Sequence, residues 1–568
     1  MFIERNRLFY FLVLLLSAIG IHAKCIHYQY CIIGAGPGGL QMAYYFQRAG
    51  RDYVVFERNN ISGSFFTHYP RHRRLLSINK KHTGAKNAEF NLRHDWNTLL
   101  SHKSNLTMTR YSDDIYPHAD DLVKYLNDYA NELKLMIRYN KNITRITRVH
   151  SKKSIIFKLV DQNMECYVCD RLIISTGLAT PYIPKYVPGM EYIDGYESIS
   201  TNASEFIGQN ILILGQGNSG FETAQSLSSV SNFLHVLGGS NVRLATSTHY
   251  IGDVRGINSK ILDSYQLKTL DGLLEERISA IGFVKREDNK LHLCFKDDNS
   301  GNLTESKSDL RYDRIIRCLG FRYDKSIFSE NSRPLSGRGK LWKYPEITES
   351  YESTSTPNMF FAGALAHSLD YRISGGCCIQ GFRYTARALH HLLEWRYHKV
   401  PWPAKLLTPS TLYDELITRI NQASGLYQMF STLADVILIA FVLVMISYST
   451  DTLSTENYRH TAETAHHSKN IHPVLRYYRK STLKKLLEKN EMPVPDRIHH
   501  VLEDFLTDWS VYSHHGHYLK LFLEKIFKLD LDNYYAGNCF AFAMSFKKMP
   551  ITCSKPTIQK IESMITKK

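Results

Sequence analysis

The 568-residue chain lacks any run of about 20 consecutive apolar residues, the length a helix needs to cross a bilayer. It is also short of cysteine: 10 thiols at this length do not make a disulfide-built scaffold. No zinc-finger, leucine-zipper or RNP-type pattern interrupts it, and its basic residues are scattered. The net charge of +16 therefore does not read as a nucleic-acid footprint, and neither a nucleic-acid partner nor a metal site is expected. What remains is globular material. With 43% hydrophobic and 22% charged residues, a mainly disordered, collagenous or coiled-coil chain is excluded. At about 150 residues per domain, the length implies three or four domains.

The N-terminus joins Arg5 and Arg7 to the apolar run Leu8–Leu16 and to small residues ending at Ala23. These are the three parts of a cleavable secretory signal, expected over residues 1–23; an uncleaved anchor is disfavoured by so short a run. Sequons begin at Asn60, Asn105, Asn142, Asn202 and Asn302 and fit a lumenal glycoprotein. The last residues, Ile565-Thr566-Lys567-Lys568, match no KDEL-type retention signal. A second apolar stretch, Val436–Ile446, falls well short of a membrane span and reads as a buried helix or strand.

Tyr28–Ile33 reads as a buried strand running directly into Gly34-Ala35-Gly36-Pro37-Gly38-Gly39 and then a helix. In that context G-x-G-x-x-G has a mechanism. Gly34 permits the tight turn, Gly36 lets the backbone approach a pyrophosphate, and Gly39 allows close helix–strand packing. The next strand, Tyr53–Phe56, ends at Glu57, placed to accept hydrogen bonds from a ribose diol. The pattern repeats 181 positions later, where Asn210–Leu214 leads into Gly215-Gln216-Gly217-Asn218-Ser219-Gly220 and a second helix. Two such loops imply two dinucleotides in one enzyme. The strand Phe233–Leu237 ends without a carboxylate, and Arg243 can meet a 2′-phosphate, which favours NADPH over NADH; a solvated Arg243 is the alternative.

These paired loops resemble the two-dinucleotide flavoproteins, which include flavin monooxygenases and pyridine-nucleotide disulfide reductases. Gly63-Ser64-Phe65-Phe66 is similar to the segment after the acidic residue in the monooxygenase branch. Leu172–Gly177, with Thr176 and Gly177, and Arg314–Gly320 are similar to the strand ends that link the FAD and NADPH domains. Asn358–Gly363 resembles the last FAD-domain strand, whose end meets the flavin. Pro70–Arg74, Ala88–Asn97, Gly381–Thr385, Ala423–Phe430 and His499–Trp509 resemble a lumenal branch of these flavoproteins that works with ER-associated degradation. That resemblance implies residence in the endoplasmic reticulum lumen and misfolded glycoprotein clients. It also implies the degradation machinery with a thioredoxin-like or J-domain reductase as partners. One departure stands out: the family's Phe-x-Gly-x-x-x-His linker reads Ile193–Ile199 here, so an isoleucine stands where monooxygenases use His.

Cys166 and Cys169 form a C-x-x-C, but they lie in a strand pattern where residues three apart face opposite ways, poor geometry for a bond between them. Cys377-Cys378 follows Gly375-Gly376 at the expected start of the last FAD-domain helix; it is either a redox pair or two packing thiols. His514-His515-Gly516-His517 reads as a solvated loop. After Gly363, His367 and Arg372 are the candidates for donors or charges that tune the flavin, with structural roles as the alternative.

The expected architecture is α/β with two Rossmann-like domains. FAD-binding segments at 24–178 and 321–400 flank an inserted NAD(P)H domain at 179–320, and a mostly helical region follows at 401–568. The expected activity passes electrons from NADPH (or NADH) through FAD to a protein acceptor. A flavin-bound adaptor without catalysis and a flavin monooxygenase are the alternatives.

Overall fold

A computed structural model describes residues 25–527, apart from 151–154, 240, 297–302, 306–310, 408, 440–441, 451–464, 469, 483–491, 503 and 505. The expected signal segment 1–23 and the Asn302 sequon fall outside the described residues. Strand β1 (Ile26–Ile33) runs into α1 (Pro37–Arg48) and returns as β2 (Tyr53–Phe56), the βαβ start expected around the first glycine loop. Helix α2 (Ala119–Glu132) precedes β3 (Ile137–Arg138), which extends the parallel set beyond β2. β4 (Ile143–His150) and β5 (Ile155–Asp161) form an antiparallel hairpin against the first half of β6 (Cys166–Ile174). β6 in turn lies parallel to β1.

Successive β1 side chains point to opposite faces, and both faces are covered. Tyr30 and Ile32 pack with Leu40 and Phe46 of α1 and Leu126 of α2. Cys31 and Ile33 pack with Phe157, Leu172 and Phe361. Burial on both sides is why the strand reads as a continuous apolar run.

A second parallel sheet follows. It contains β7 (Asp194–Gly195), β8 (Asn210–Leu214), β9 (Phe233–Gly238) and β10 (Gly272–Glu275), with α3 (Asn218–Leu227) after β8. β11 (Ile281–Glu287), β12 (Lys290–Lys296) and β13 (Leu303–Glu305) make a separate antiparallel sheet. β14 (Arg314–Arg317) then completes the parallel order β10-β9-β8-β14-β7. The chain next returns to the first sheet: β15 (Met359–Phe361) lies parallel to the end of β6. Helix α4 (Ile379–His398) adds Leu389 and Leu393 to the core beneath α1. The fold is therefore the expected α/β arrangement, one dinucleotide-type domain inserted between two segments of another.

Beyond α4, helices α5 (Pro409–Gln422), α6 (Ser424–Gln428) and α7 (His517–Phe527) form the helical part of the C-terminal region. Leu412, Leu416, Ile417 and Ile420, expected as a packing face, bury against Val444, Ile446, Tyr448 and Trp509. The same region also holds an antiparallel sheet of β16 (Asp435–Ile439), β17 (Val442–Ser449), β18 (His472–Tyr478) and β19 (Arg497–His500). Within the apolar run 436–446, β16 and β17 pair antiparallel, and the run's β-branched residues suit a strand. Among the described residues, no helix is long and apolar enough to cross a membrane.

The segment 88–99 fastens this region to the rest. Arg93, 1% exposed, donates to the carbonyls of Ile420 and Ala423 and to the Tyr448 hydroxyl, and its guanidinium lies 4.8 Å from the Tyr427 ring centroid. From the other side, Arg383 of α4 donates to the carbonyls of Leu92, Asp95 and Thr98.

Candidate functional site

β1 ends in a turn that only glycine accommodates. Gly34 has φ +101° and donates its amide to the Phe56 carbonyl at 2.8 Å. A Cβ there would sit 2.7 Å from the Ser175 carbonyl oxygen, and one on Gly39 would strike the Gly34 carbonyl. Gly36 differs: nothing lies within 4 Å of its would-be Cβ. Above it opens a cavity of about 670 Å³, lined by Gly34, Gly36, Gly38, Glu57, Phe65, Thr176, Gly177 and Gly363 among others. Gly39 packs beneath the loop, and Gly63 turns at φ +67° against Leu126; neither lines the cavity.

The chemistry of the wall suits a phosphorylated, hydroxyl-bearing ligand. The N-cap of α1, Gly36, carries no capping side chain, so the helix start presents its amides and positive dipole to the opening. Glu57, 5% exposed, accepts from the Ala35 amide at 2.8 Å, the Asn59 amide at 3.0 Å and Ser64 Oγ at 3.2 Å. Its carboxylate has further lone-pair capacity for a ribose hydroxyl. Thr176 Oγ1 is buried without a protein partner. A buried polar atom in a cavity wall is a cost that a bound ligand removes.

The second loop repeats the geometry. Gly215 has φ +116° and donates to the Leu237 carbonyl at 2.8 Å. Cβ atoms on Gly215 and Gly220 would meet the Cys318 and Gly215 carbonyls, whereas Gly217 faces open space and caps α3 with no side chain. Gln216 Nε2 is buried without a protein partner. Asn218 turns inward, donating to the Asp253 carbonyl at 2.9 Å and accepting from the Arg255 amide at 2.9 Å. With Ser219 and Glu222 it lines a smaller cavity of about 230 Å³. Arg243 is half exposed and 3.4 Å from the Asp253 carboxylate, so the 2′-phosphate candidate already has an anionic partner.

His367 and Arg372 do not line the large cavity. His367 is buried, with Nδ1 2.8 Å from Asp370 and Nε2 2.8 Å from the Tyr250 hydroxyl. Arg372 pairs with Asp253 at 3.3 Å and lies over the Tyr250 ring. Burial pushes the Tyr250 phenol far above its ordinary range. The His-x-x-Asp spacing of His367 and Asp370 is visible in the chain, but Tyr250 arrives from the inserted domain and carries no sequence signal. Cys377 and Cys378, by contrast, do line the cavity.

No bond joins Cys166 to Cys169, in line with their strand spacing. Each is instead a half-cystine joined to the N-terminal strand region: Cys25–Cys166 with Cα atoms 4.6 Å apart, and Cys31–Cys169 at 5.8 Å. Spacing within one strand carries no information about the neighbour across the sheet, so neither bond was foreseen. The His514–His517 stretch is also more ordered than a solvated loop, because a turn at Tyr512–Gly516 leads into α7 and His515 is buried 3.6 Å from Asp504.

Two glycine turns, each at the end of a parallel strand in its own sheet, define a two-dinucleotide oxidoreductase. Residues 31–363 match the family described as pyridine nucleotide-disulphide oxidoreductase, and the chain belongs to it. It is 43% identical to FAD-dependent oxidoreductase domain-containing protein 2 of Mus musculus, across 95% of this chain and 90% of that protein. With the Danio rerio protein of the same description it shares 39% identity, across 97% and 91%. In structure it is similar to a bacillithiol disulfide reductase from Staphylococcus aureus, with TM-score 0.50 and 16% identity over 66% of this chain and 99% of that one, a likeness of fold alone.

Proposed function

We propose that the chain is an FAD-dependent oxidoreductase of the endoplasmic reticulum lumen that draws hydride from NADPH, or less well NADH. It would pass electrons to a protein or thioredoxin-like partner and so support degradation of misfolded glycoproteins. One observation carries the reading: the same strand-to-helix glycine turn occurs twice, each with its middle glycine open to solvent space, and the first lies under a ligand-sized cavity. FAD would be held by the amides of the Gly34–Gly39 turn, by Glu57 at the ribose, and by Thr176, Gly177 and Gly363; the nicotinamide nucleotide would be held by Gly215–Gly220. Bound flavin supplies the two-electron chemistry. The chain's own part is to orient: the α1 dipole meets phosphate, and Glu57, fixed by donors from Ala35, Asn59 and Ser64, sets the ribose.

The two disulfides favour an oxidising compartment. Asn60, Asn105, Asn142 and Asn202 are all exposed, as glycosylation requires. Ile199 is buried in an apolar core and offers no donor, which argues against monooxygenase chemistry. Anaerobic mixing with NADPH and then NADH tests the reading. The flavin band should bleach, faster with NADPH; a spectrum that stays oxidised with both would contradict it and leave an adaptor.

A further inference from the structure

We propose that Cys377 and Cys378 form a redox-active vicinal dithiol that opens onto the dinucleotide cavity and exchanges electrons with an acceptor disulfide. This rests on the oxidoreductase reading and names where electrons leave the cofactor pair. The two Sγ atoms lie 3.2 Å apart, and both residues share the cavity wall with Gly38 and Gly363. Cys378 is the N-cap of the long helix α4 and makes no side-chain cap bond, so the helix dipole favours a thiolate there. The hydrogen bond between the pair raises the Cys377 thiol and lowers that of Cys378, and Arg255 adds to the lowering. Cys378 is thus the nucleophile and Cys377 its resolving partner.

The loop before the pair is braced. Asp370 accepts from Ser374 Oγ at 2.6 Å and from the Gly376 amide at 2.8 Å, while its other oxygen holds His367. A Cβ on Gly376 would strike that carboxylate. The thiols are therefore held at the cavity by the cluster that contains His367 and Tyr250, which gives that cluster a positioning role. The cysteines of β6 cannot compete, because both are locked to the N-terminal strand region.

In the exchange, the Cys378 thiolate attacks one sulfur of the acceptor disulfide, and the other acceptor sulfur leaves as a thiolate and takes a proton. Cys377 then attacks Cys378 in the mixed disulfide, expelling the second acceptor thiol. One acceptor disulfide becomes two thiols, and the pair becomes a vicinal disulfide. Reopening it to two thiols takes a hydride from the reduced nicotinamide dinucleotide, relayed as two electrons, and a proton from solvent. A ring closed by adjacent residues is strained and so oxidising: it reopens readily, and the dithiol reduces an acceptor disulfide of comparably high potential.

The test equilibrates the flavin-loaded mature chain anaerobically across glutathione ratios, quenches in acid, alkylates and maps peptides. The peptide carrying both cysteines should pass in one step from doubly alkylated to unalkylated and two hydrogens lighter. Cys377→Ser should instead accumulate glutathione on Cys378. Thiols that stay alkylated at every ratio, or that each take glutathione independently, would overturn the proposal; the wild-type map decides alone if the variant does not fold. The flavin spectrum after NADPH is read in the same samples. Bleaching with silent cysteines sinks the dithiol and leaves the oxidoreductase reading, whereas cycling cysteines beside an unreduced flavin uphold the dithiol and contradict that reading.

Discussion

Gly36 and Gly39 stand three residues apart in one motif yet do different work. The space over Gly36 is empty, while Gly39 is pressed against the Gly34 carbonyl. Gly36→Ala should therefore leave the urea midpoint of the flavin-free chain unchanged and lower flavin affinity at least about tenfold, a loss of roughly 1.4 kcal/mol in binding. Gly39→Ala should lower that midpoint, at a cost of about 1–3 kcal/mol in unfolding free energy, because an overpacked strand–helix contact must shift. Equilibrium unfolding beside flavin absorbance separates the two. Both roles were legible in the sequence, since the glycine spacing is itself the geometry. The His367–Asp370–Tyr250 cluster was only half legible, because its third member comes from a different domain.

At the level of elements, acid is expected to act on α4 and on the C-terminal sheet. Burial lowers His390 of α4 to about 4. In β19 it lowers His499 to about 4 and His500 to about 3, with neighbouring His472, His466 and Arg476 adding to the second. The unfolded chain, with values near 6.5, takes up these protons first. Stability is then complete above about pH 6.5 and drains as the pH falls toward 4. The urea midpoint should fall over that window, and His499→Gln should flatten the profile; a midpoint unchanged between pH 7 and 4.5 would contradict this. The sheet that carries His499 and His500 was the least legible part of the fold. The run Val436–Ile446 contains no glycine or Asn-Gly signal where β16 gives way to β17, and β18 and β19 lie far along the chain from it. β1, β6, β8, β14 and β15 could be read because each ends in a glycine loop or in a Ser-Thr-Gly, Leu-Gly or Ala-Gly turn.

Across the molecule, beside the Arg419–Glu89 ion pair at 3.2 Å, Arg93 clasps the oxidoreductase body to the C-terminal region. Its guanidinium satisfies the carbonyls of Ile420 and Ala423 at the end of α5 while its own segment is held by Arg383. Arg93→Ala removes these charge-assisted bonds, although Ile420 keeps the one from the Tyr448 hydroxyl, and should cost about 1.5–3 kcal/mol. Limited proteolysis should then cut first beyond residue 400, with the flavin retained. Loss of flavin at the same protease dose would show that the body depends on the clasp as well. The central claim, two phosphate cradles with the first holding FAD, is tested most directly by denaturing the purified chain and quantifying the flavin released. The account predicts about one FAD per chain. A colourless chain that gains none from added FAD would contradict it.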